Sequence, residues 1–581
     1  MQEKYSGLLV PLYVGITGHR NLRPEDRERL KQIMKDEFED LHRLHPSSPI
    51  ILLTPLAEGA DRLAAVAAIE SGLHFVVPLP MPVGEYLKDF ASQQSKLEFE
   101  SLFSQASDSF VVAGSPHEAT DLERETIHRE NAYARVGTYI AQHSILLIAL
   151  WDGISKGSGS GTSQVVNLRL NGTPLSTSMS QTPFHNLQAG PVLHIVTPRI
   201  SNPNTTKPPF SREMYYPRIH GELSFAIQIH ESMLSHVDDY NKEVSKTAGR
   251  SKDSYNTPQS PILEKEEALP LSDGARANLD RFHYADFLAE KFKRKRLTFL
   301  VLLLSLVLLA FLYLQMYLEF WPVPLVLLTY PLLLAVSAGI FKWAKFKRYD
   351  SKHEDYRALA EGLRIQIFWD LAQVDENAAH HYLYKHVGQL QWIRYSFLAW
   401  WVRHPRYTGD TPHVQQKNIQ DRLKTTFIRW VLEQRKWYSV RSRQIEKTAR
   451  ILEKTSNALF VTGVFFAAFL YCIEVLHPLT SFIAYHYWIH HVIVVSVAMM
   501  LAISAAIHSF SDKTSLSETS KQYQRMVGLY TLSINKLAPL IEQSDPTPVK
   551  QVLFELGKEA LTEHGDWLIL NRSRPLELPK A

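Results

Sequence analysis

Up to about residue 197 the chain alternates short apolar runs with amphipathic stretches, and beyond residue 296 it carries long runs with no charge at all. In the first part, LVPLYVGI, IILLTPL, FVVPLP, SFVVA, SILLIALW and PVLHIVT read as strands. Strands that alternate with helical stretches predict an α/β fold, a Rossmann-like parallel sheet covered on both faces. Between the first two strands Pro24 opens a helix with Glu25 and Asp26 in its first turn. Leu30, Ile33, Met34, Phe38 and Leu41 then form one apolar stripe at helical spacing. That stripe is core and carries no chemistry.

The second part predicts an all-α membrane region. Leu297 to Tyr317, Trp321 to Phe341, Ser456 to Ile473 and Tyr485 to Ile507 lack Asp, Lys and Arg. Each approaches or exceeds the roughly 20 residues needed to cross hydrocarbon. They pair into two hairpins, 297–341 and 456–507. Lys291, Lys293, Arg294, Lys295 and Arg296 precede the first hairpin, and Lys342, Lys345, Lys347 and Arg348 follow it. Lys447, Arg450 and Lys454 precede the second, and Lys513 follows. The turns 318–320 and 474–484 hold no Lys or Arg. Basic flanks stay cytoplasmic during insertion, so both termini and the middle segment are expected in the cytoplasm. A Tyr-led stretch follows each hairpin, YRALAEGL at Tyr356 and YQRMVGLY at Tyr523, as in a duplicated unit. The expected organisation is a sheet domain over 1–200 and a polar linker with some helix over 201–280. A first hairpin with cytoplasmic helices over 281–440 and a second with a helical tail over 441–581 complete it.

Charge and cysteine narrow the function. A formal net charge of +4 from 63 Lys and Arg against 59 Asp and Glu is too small to argue for nucleic acid as a partner. One cysteine, Cys472, excludes an intrachain disulfide or a Cys-rich zinc site. In a parallel sheet, chemistry belongs to the loops leaving the carboxyl ends of strands, where helix N-termini present free N–H groups. Three loops fit. The first is Gly15-Ile16-Thr17-Gly18-His19-Arg20; the second is Glu58-Gly59-Ala60-Asp61-Arg62. The third runs from Asp152 and Gly153 through Gly159 and Gly161 to Thr162. Their glycines permit close backbone approach to a ligand, and Arg20 or Arg62 can meet a phosphate or carboxylate. Neither a Walker A sequence nor GxGxxG is present.

VGITGHRNL, PLAEGADRLAA, VPLPMPVGEY and ALWDGISKGSGSGTSQVV occur in that order between about Tyr5 and Thr197. Together they resemble the SLOG superfamily, relatives of the LOG phosphoribohydrolases and the DNA-processing protein DprA. The resemblance implies a Rossmann-like domain that binds a nucleotide or nucleotide-derived ligand. Gly15, Thr17, Gly18, His19 and Arg20 match the family's first loop, Gly59, Ala60 and Asp61 its second, and Gly159, Gly161 and Thr162 its phosphate loop. The catalytic Gly-Gly-x-Gly-Thr-x-x-Glu pattern is broken: its first glycine falls on Ser158 and its glutamate on Val165. The membrane half, two hairpins followed by helical stretches that include EDYRALAEGLRIQIFWDLA and LGKEALTEHGDWLILNRSRPLEL, resembles SLATT domains, the predicted pore-forming partners of such sensors in bacterial conflict systems. That implies a multi-pass protein of a bacterial inner membrane. A homo-oligomer is expected on other grounds, because two hairpins supply only four helices, few for enclosing a wide aqueous path, and polar residues within them are sparse.

Three functions follow as expectations. One is a membrane effector in antiphage defence, whose cytoplasmic domain binds a nucleotide signal and gates a pore or disrupts the bilayer. Another is a membrane-tethered nucleotide or NAD glycohydrolase using Glu58 or Asp61 as catalytic carboxylate. The third is a membrane anchor with a protein-binding soluble domain.

Overall fold

A computed structural model describes residues 7–112, 122–154, 161–172, 189–203, 205, 207–217, 221–248, 272–382, 388, 390–402, 419–476, 487–543 and 545–572. The chain divides into two compact units, one of 1–256, 271–280 and 375–418, the other of 257–270, 281–374 and 419–581.

The first unit is built on a sheet of β1 (Leu12–Gly18), β2 (Ile50–Leu53), β3 (His74–Leu79), β4 (Asp108–Val111), β5 (Leu146–Trp151), β6 (Val192–Val196) and β7 (Arg212–Tyr215). The order is β4-β3-β2-β1-β5-β6-β7, with every neighbour parallel except β6 and β7. All six expected strands are present, and the α/β parallel-sheet reading holds. Strands covered on both faces read as continuous apolar runs; Leu12, Val14, Ile16, Leu147, Leu150 and Ile195 are buried accordingly. β7 is an addition: REMY is short, antiparallel and half exposed, so no apolar run marks it.

Helices α1 (Arg27–Leu44), α2 (Ala60–Glu70), α3 (Gln93–Phe103), α4 (Leu122–His143) and α5 (Thr162–Asn171) connect the strands. Leu30, Ile33, Met34 and Phe38 of α1 are buried as their spacing predicts, while Leu41 lies at the margin. Helix α6 (Leu223–Ala248) sends Asn241 to Val10, whose amide donates to Asn241 Oδ1 at 2.8 Å and whose carbonyl accepts from Nδ2 at 2.9 Å. The Tyr13 amide donates to Tyr395 Oη at 2.9 Å, and that hydroxyl donates to the Pro11 carbonyl at 2.8 Å. These bonds close the amino end of β1 and leave the carboxyl ends of the strands for the site.

The second unit is helical. Its first hairpin is α7 (Asp273–Glu319) with α8 (Pro324–Phe346), followed by α9 (Tyr349–Ala372). After α10 (Gln391–Trp400), which belongs to the sheet unit, α11 (Glu433–Leu476) and α12 (Tyr487–Lys513) form the second hairpin. It is followed by α13 (Leu516–Leu540) and α14 (Thr547–Arg572). Among the described residues four helices are long and apolar enough to cross a membrane, carried by α7, α8, α11 and α12. Leu325 is 72% exposed, and Val461 and Phe465 65% each. Such faces are stable only against hydrocarbon or protein. Ser456 and Ser504 each donate to the other's carbonyl, at 3.0 and 2.8 Å, and lock α11 to α12. Ser504 therefore serves packing in this chain.

The two hairpins end alike. Arg348 and Ser515 adopt left-handed backbone, φ 55° and 49°, between the second helix of each hairpin and the helix that follows. Each stands at the same offset before its tyrosine, Tyr356 or Tyr523. Left-handed non-glycine residues are uncommon, so their recurrence at one offset supports duplication beyond shared apolar composition.

Candidate functional site

Strand β1 lies between β2 and β5, so the connections leave it toward opposite faces and open a crevice at its carboxyl end. There the structure has a cleft of about 320 Å³. Thr17, Gly18, His19 and Arg20 from the first loop, Asp61 from the second, and Gly161 and Thr162 from the third all line it. The sequence thus located three loops that meet.

Their packing explains the spacing. Gly18 leaves no room for a side chain: a Cβ there would stand 2.5 Å from Ala60 Cβ and 2.8 Å from the Leu150 carbonyl. The Ala60 amide donates to the His19 carbonyl at 3.0 Å, tying the second loop to the first. The Asp152 amide donates to His19 Nε2 at 3.0 Å, tying the third to the first. In a neutral His19 ring the proton consequently sits on Nδ1.

Several sequence candidates stand behind this wall. Gly15 is inside the sheet against Ser144 and Ile140. Arg62 is 3% exposed; it donates to the Leu56 carbonyl at 3.1 Å and Ser95 at 2.9 Å, pairs with Glu98 at 2.8 Å, and lies over the Phe90 ring. Ser95 also donates to Glu58, holding that carboxylate away from the cleft lining. Gly59 and Ala60 supply the turn into α2. Asp152 is buried, accepts from the Ile154 amide at 3.1 Å and pairs with Arg199 at 2.9 Å; Gly153 completes that turn. Burial alone would raise the Asp152 pKa, but the Ile154 amide, His19, Asn202 and Arg199 together hold it below the usual carboxylate range. Gly159 lies outside the described residues.

Two cleft groups are electrostatically distinctive. Arg20 is exposed, its guanidinium 5.2 Å from the Tyr133 ring centroid, and no carboxylate among the described residues lies within ion-pair distance of it. Asp61 is buried, and that burial pushes its pKa up to about 7, against the opposing pull of Arg20, the Ala57 amide and Arg62. A raised carboxyl loses stability for the fold as pH climbs from its unfolded value, near 3.8, toward 7. Asp61→Asn removes this loss, at about 1.4 kcal/mol per pH unit. The variant is expected to melt above the parent at pH 8, by about 2 to 4 kcal/mol of stability, and level with it near pH 4. A constant difference across that range in thermal unfolding would show that Asp61 stays ionised.

The amino end of α5 completes the site. Gly161 caps it without a side-chain bond, and the Thr162 and Ser163 amides have no hydrogen-bond partner among the described residues. Such an end favours anions. Val165, one turn on, also lines the cleft, at the position where the resemblance calls for glutamate.

Sequence reading did not single out Tyr86, Tyr133, Trp151 or Arg199, which line the cleft as well. Tyr86 and Tyr133 stand 6.1 Å apart, and Tyr133 donates to Asp89. Burial, with that bond, pushes the Tyr133 hydroxyl pKa up to about 12. Among the described residues no group of three or more His, Cys, Asp or Glu is placed to hold a metal.

Comparison with known proteins matched no family model, no curated protein and no solved structure. Fold and candidate site still define a class: a doubly wound sheet with an arginine-bearing cleft at its switch point, on one chain whose described residues include four helices apolar enough to span a bilayer.

Proposed function

We propose that the protein is a membrane-embedded nucleotide-sensing effector. A nucleotide-derived ligand binds the cleft with its phosphate against the α5 amino end and Arg20, and the helical unit answers by opening a pore or disturbing the bilayer. The reading rests on one observation above others: an exposed arginine faces the same cleft as helix-end amides, and among the described residues the arginine has no carboxylate within ion-pair distance and the amides no hydrogen-bond partner. Aromatic surface from Tyr133 and Trp151 suits a base or ribose beside that phosphate. Val165 leaves the LOG-type hydrolytic position without a carboxylate, which favours binding over cleavage. The basic flanks of both hairpins favour a multi-pass protein with the sheet unit and termini in the cytoplasm; a bacterial inner membrane and an antiphage setting are what the SLOG and SLATT resemblance implies.

A homo-oligomer fits the energetics. Moving a closed state from 99:1 to 1:99 takes about 5.5 kcal/mol of differential binding, whereas one coupling supplies about 1 to 3. Two or more coupled sensors reach that total.

Calorimetric titration of the detergent-solubilised chain with NAD and nucleoside monophosphates tests the reading. Saturable binding without product is expected, weakened in Arg20→Ala by about 1.5 to 3 kcal/mol, the worth of a charged hydrogen bond. Gly161→Val, whose new side chain enters open space on the cleft wall, should weaken it too. Undiminished affinity in both variants would place the ligand elsewhere. Release of free base would favour the glycohydrolase reading, with Asp61, the carboxylate on the cleft wall, as its candidate base.

A further inference from the structure

Helix α11 carries a second binding surface, remote in chemistry from the cleft. Arg443, Lys447, Arg450 and Lys454 recur at steps of four, three and four, which places them on one helical face. All four are exposed. They line a depression of about 190 Å³ together with Glu446 and Ile451. Lys454 is shared with a second depression of about 370 Å³, lined further by Thr455, Ala458, Leu459, Thr462 and Met500. A cationic groove therefore passes, at the start of the 456–473 apolar span, into one lined chiefly by apolar and small side chains.

The cations of this groove are largely uncommitted. Arg450 pairs with Glu446, but Arg443, Lys447 and Lys454 have no carboxylate within ion-pair distance among the described residues. The equivalent flank of the first hairpin is different. There Arg296 pairs with Asp350 at 2.6 Å, Lys293 and Arg294 pair with Glu290 at 3.5 and 3.3 Å, and Lys291 and Lys295 lie over Phe292. Topogenic charge alone accounts for the first flank. The second presents unneutralised charge directly above an apolar furrow, a combination that one amphiphilic anion satisfies at both ends.

We propose that this groove binds an anionic phospholipid, its phosphate held between Lys454 and Lys447, with Arg443 a further turn along the same face adding attraction, and one acyl chain lying along Ala458, Leu459, Thr462 and Met500. A second copy of the chain is a poor occupant, because a symmetric pairing through this face would set like charges against one another. A soluble phosphate would leave the apolar part of the groove exposed.

The full chain in nonionic detergent can be titrated with phosphatidylglycerol or phosphatidylcholine and bound lipid counted by native mass spectrometry. Wild type should prefer phosphatidylglycerol. Each basic residue near an anionic headgroup is worth about fivefold, so Arg443→Gln, Lys447→Gln and Lys454→Gln combined should lose affinity by at least about 25-fold, the share of Lys447 and Lys454. Ala458→Phe, which fills the furrow, should weaken both lipids, and glycerol phosphate should not compete. Equal retention by wild type and the triple variant would overturn the proposal. So would an equal loss in a control lacking Arg27, Arg43 and Lys88, three exposed cations of the sheet unit, because bulk charge would then be responsible. Dissociation of an oligomer by Ala458→Phe with lipid binding unchanged would assign the face to a second copy instead.

Discussion

Gly59→Val is expected to melt the sheet unit well below the parent and to abolish ligand binding at the cleft. Gly59 sits at φ 86° and ψ −116°, a region that side chains with a Cβ rarely enter. Holding a non-glycine residue there costs about 1 to 3 kcal/mol. Sterics add to this, since a Cβ would come within 2.4 Å of both the His19 and Arg20 carbonyl oxygens. Those atoms are backbone and cannot swing aside, so the first loop must move and carry Arg20 with it. A combined loss of about 2 to 6 kcal/mol is expected, the added crowding being worth a further 1 to 3. Calorimetry and thermal unfolding check the two effects separately; a variant with parental melting and parental affinity would show that the loops are not locked together.

That locking shows where sequence reasoning reaches. The six parallel strands were legible because burial on both faces makes each an apolar run, and the four membrane helices because length and the absence of charge suffice. β7 was not, since its residues alternate at a sheet edge. In the site, Thr17, Gly18, His19, Arg20, Asp61, Gly161 and Thr162 were legible because strand-end loops of a parallel sheet converge whatever their separation along the chain. Tyr86 and Tyr133 were not: they arrive from α4 and from a short helix at Val83–Tyr86, and their only local signature is the aromatic spacing of an ordinary core. Nor does sequence tell which way an arginine turns. Arg20 and Arg62 each follow a glycine-bearing turn, yet one is exposed in the cleft and the other is held by Leu56, Ser95 and Glu98. The difference is tertiary, set by α3, which brings Ser95 and Glu98 within reach of Arg62 alone.

The helical unit depends on a buried charge cluster that invites the opposite experiment, removal of a partner. Glu361 on α9 pairs with Arg357 and with Arg364, whose Nη1 donates to both carboxylate oxygens at 2.9 Å. Arg357 also reaches Asp286 at 2.9 Å. Burial would raise the Glu361 pKa, but Arg357, Arg364 and His564 more than offset it and hold it down at about 2. Glu361→Gln keeps the shape while leaving the buried Arg364 without its carboxylate and the half-buried Arg357 with Asp286 as its ion-pair partner among the described residues. Breaking a buried pair in this way costs about 3 to 5 kcal/mol, which for a unit of this size lowers the melting temperature by about 6 to 20 °C.

The pH dependence separates charge from shape. A carboxyl whose folded pKa is depressed contributes stability above its unfolded value, near 4.5, and loses it as pH falls toward 2. His564, in the same cluster, is held neutral by burial with its pKa lowered to about 4, so its protonation in the unfolded chain erodes stability earlier, as pH falls from 6.5 to 4. Circular dichroism melts of the parent in detergent should therefore fall as pH drops, His564 contributing first, from 6.5 to 4, and Glu361 second, from 4.5 to 2, on a slope that His353, also lowered by burial, adds to both. Glu361→Gln should retain the first and lack the second, so that its deficit relative to the parent, full at pH 7, narrows below pH 4. A deficit that stays constant down to pH 3 would mean that packing around residue 361, and not its charge, holds the cluster together.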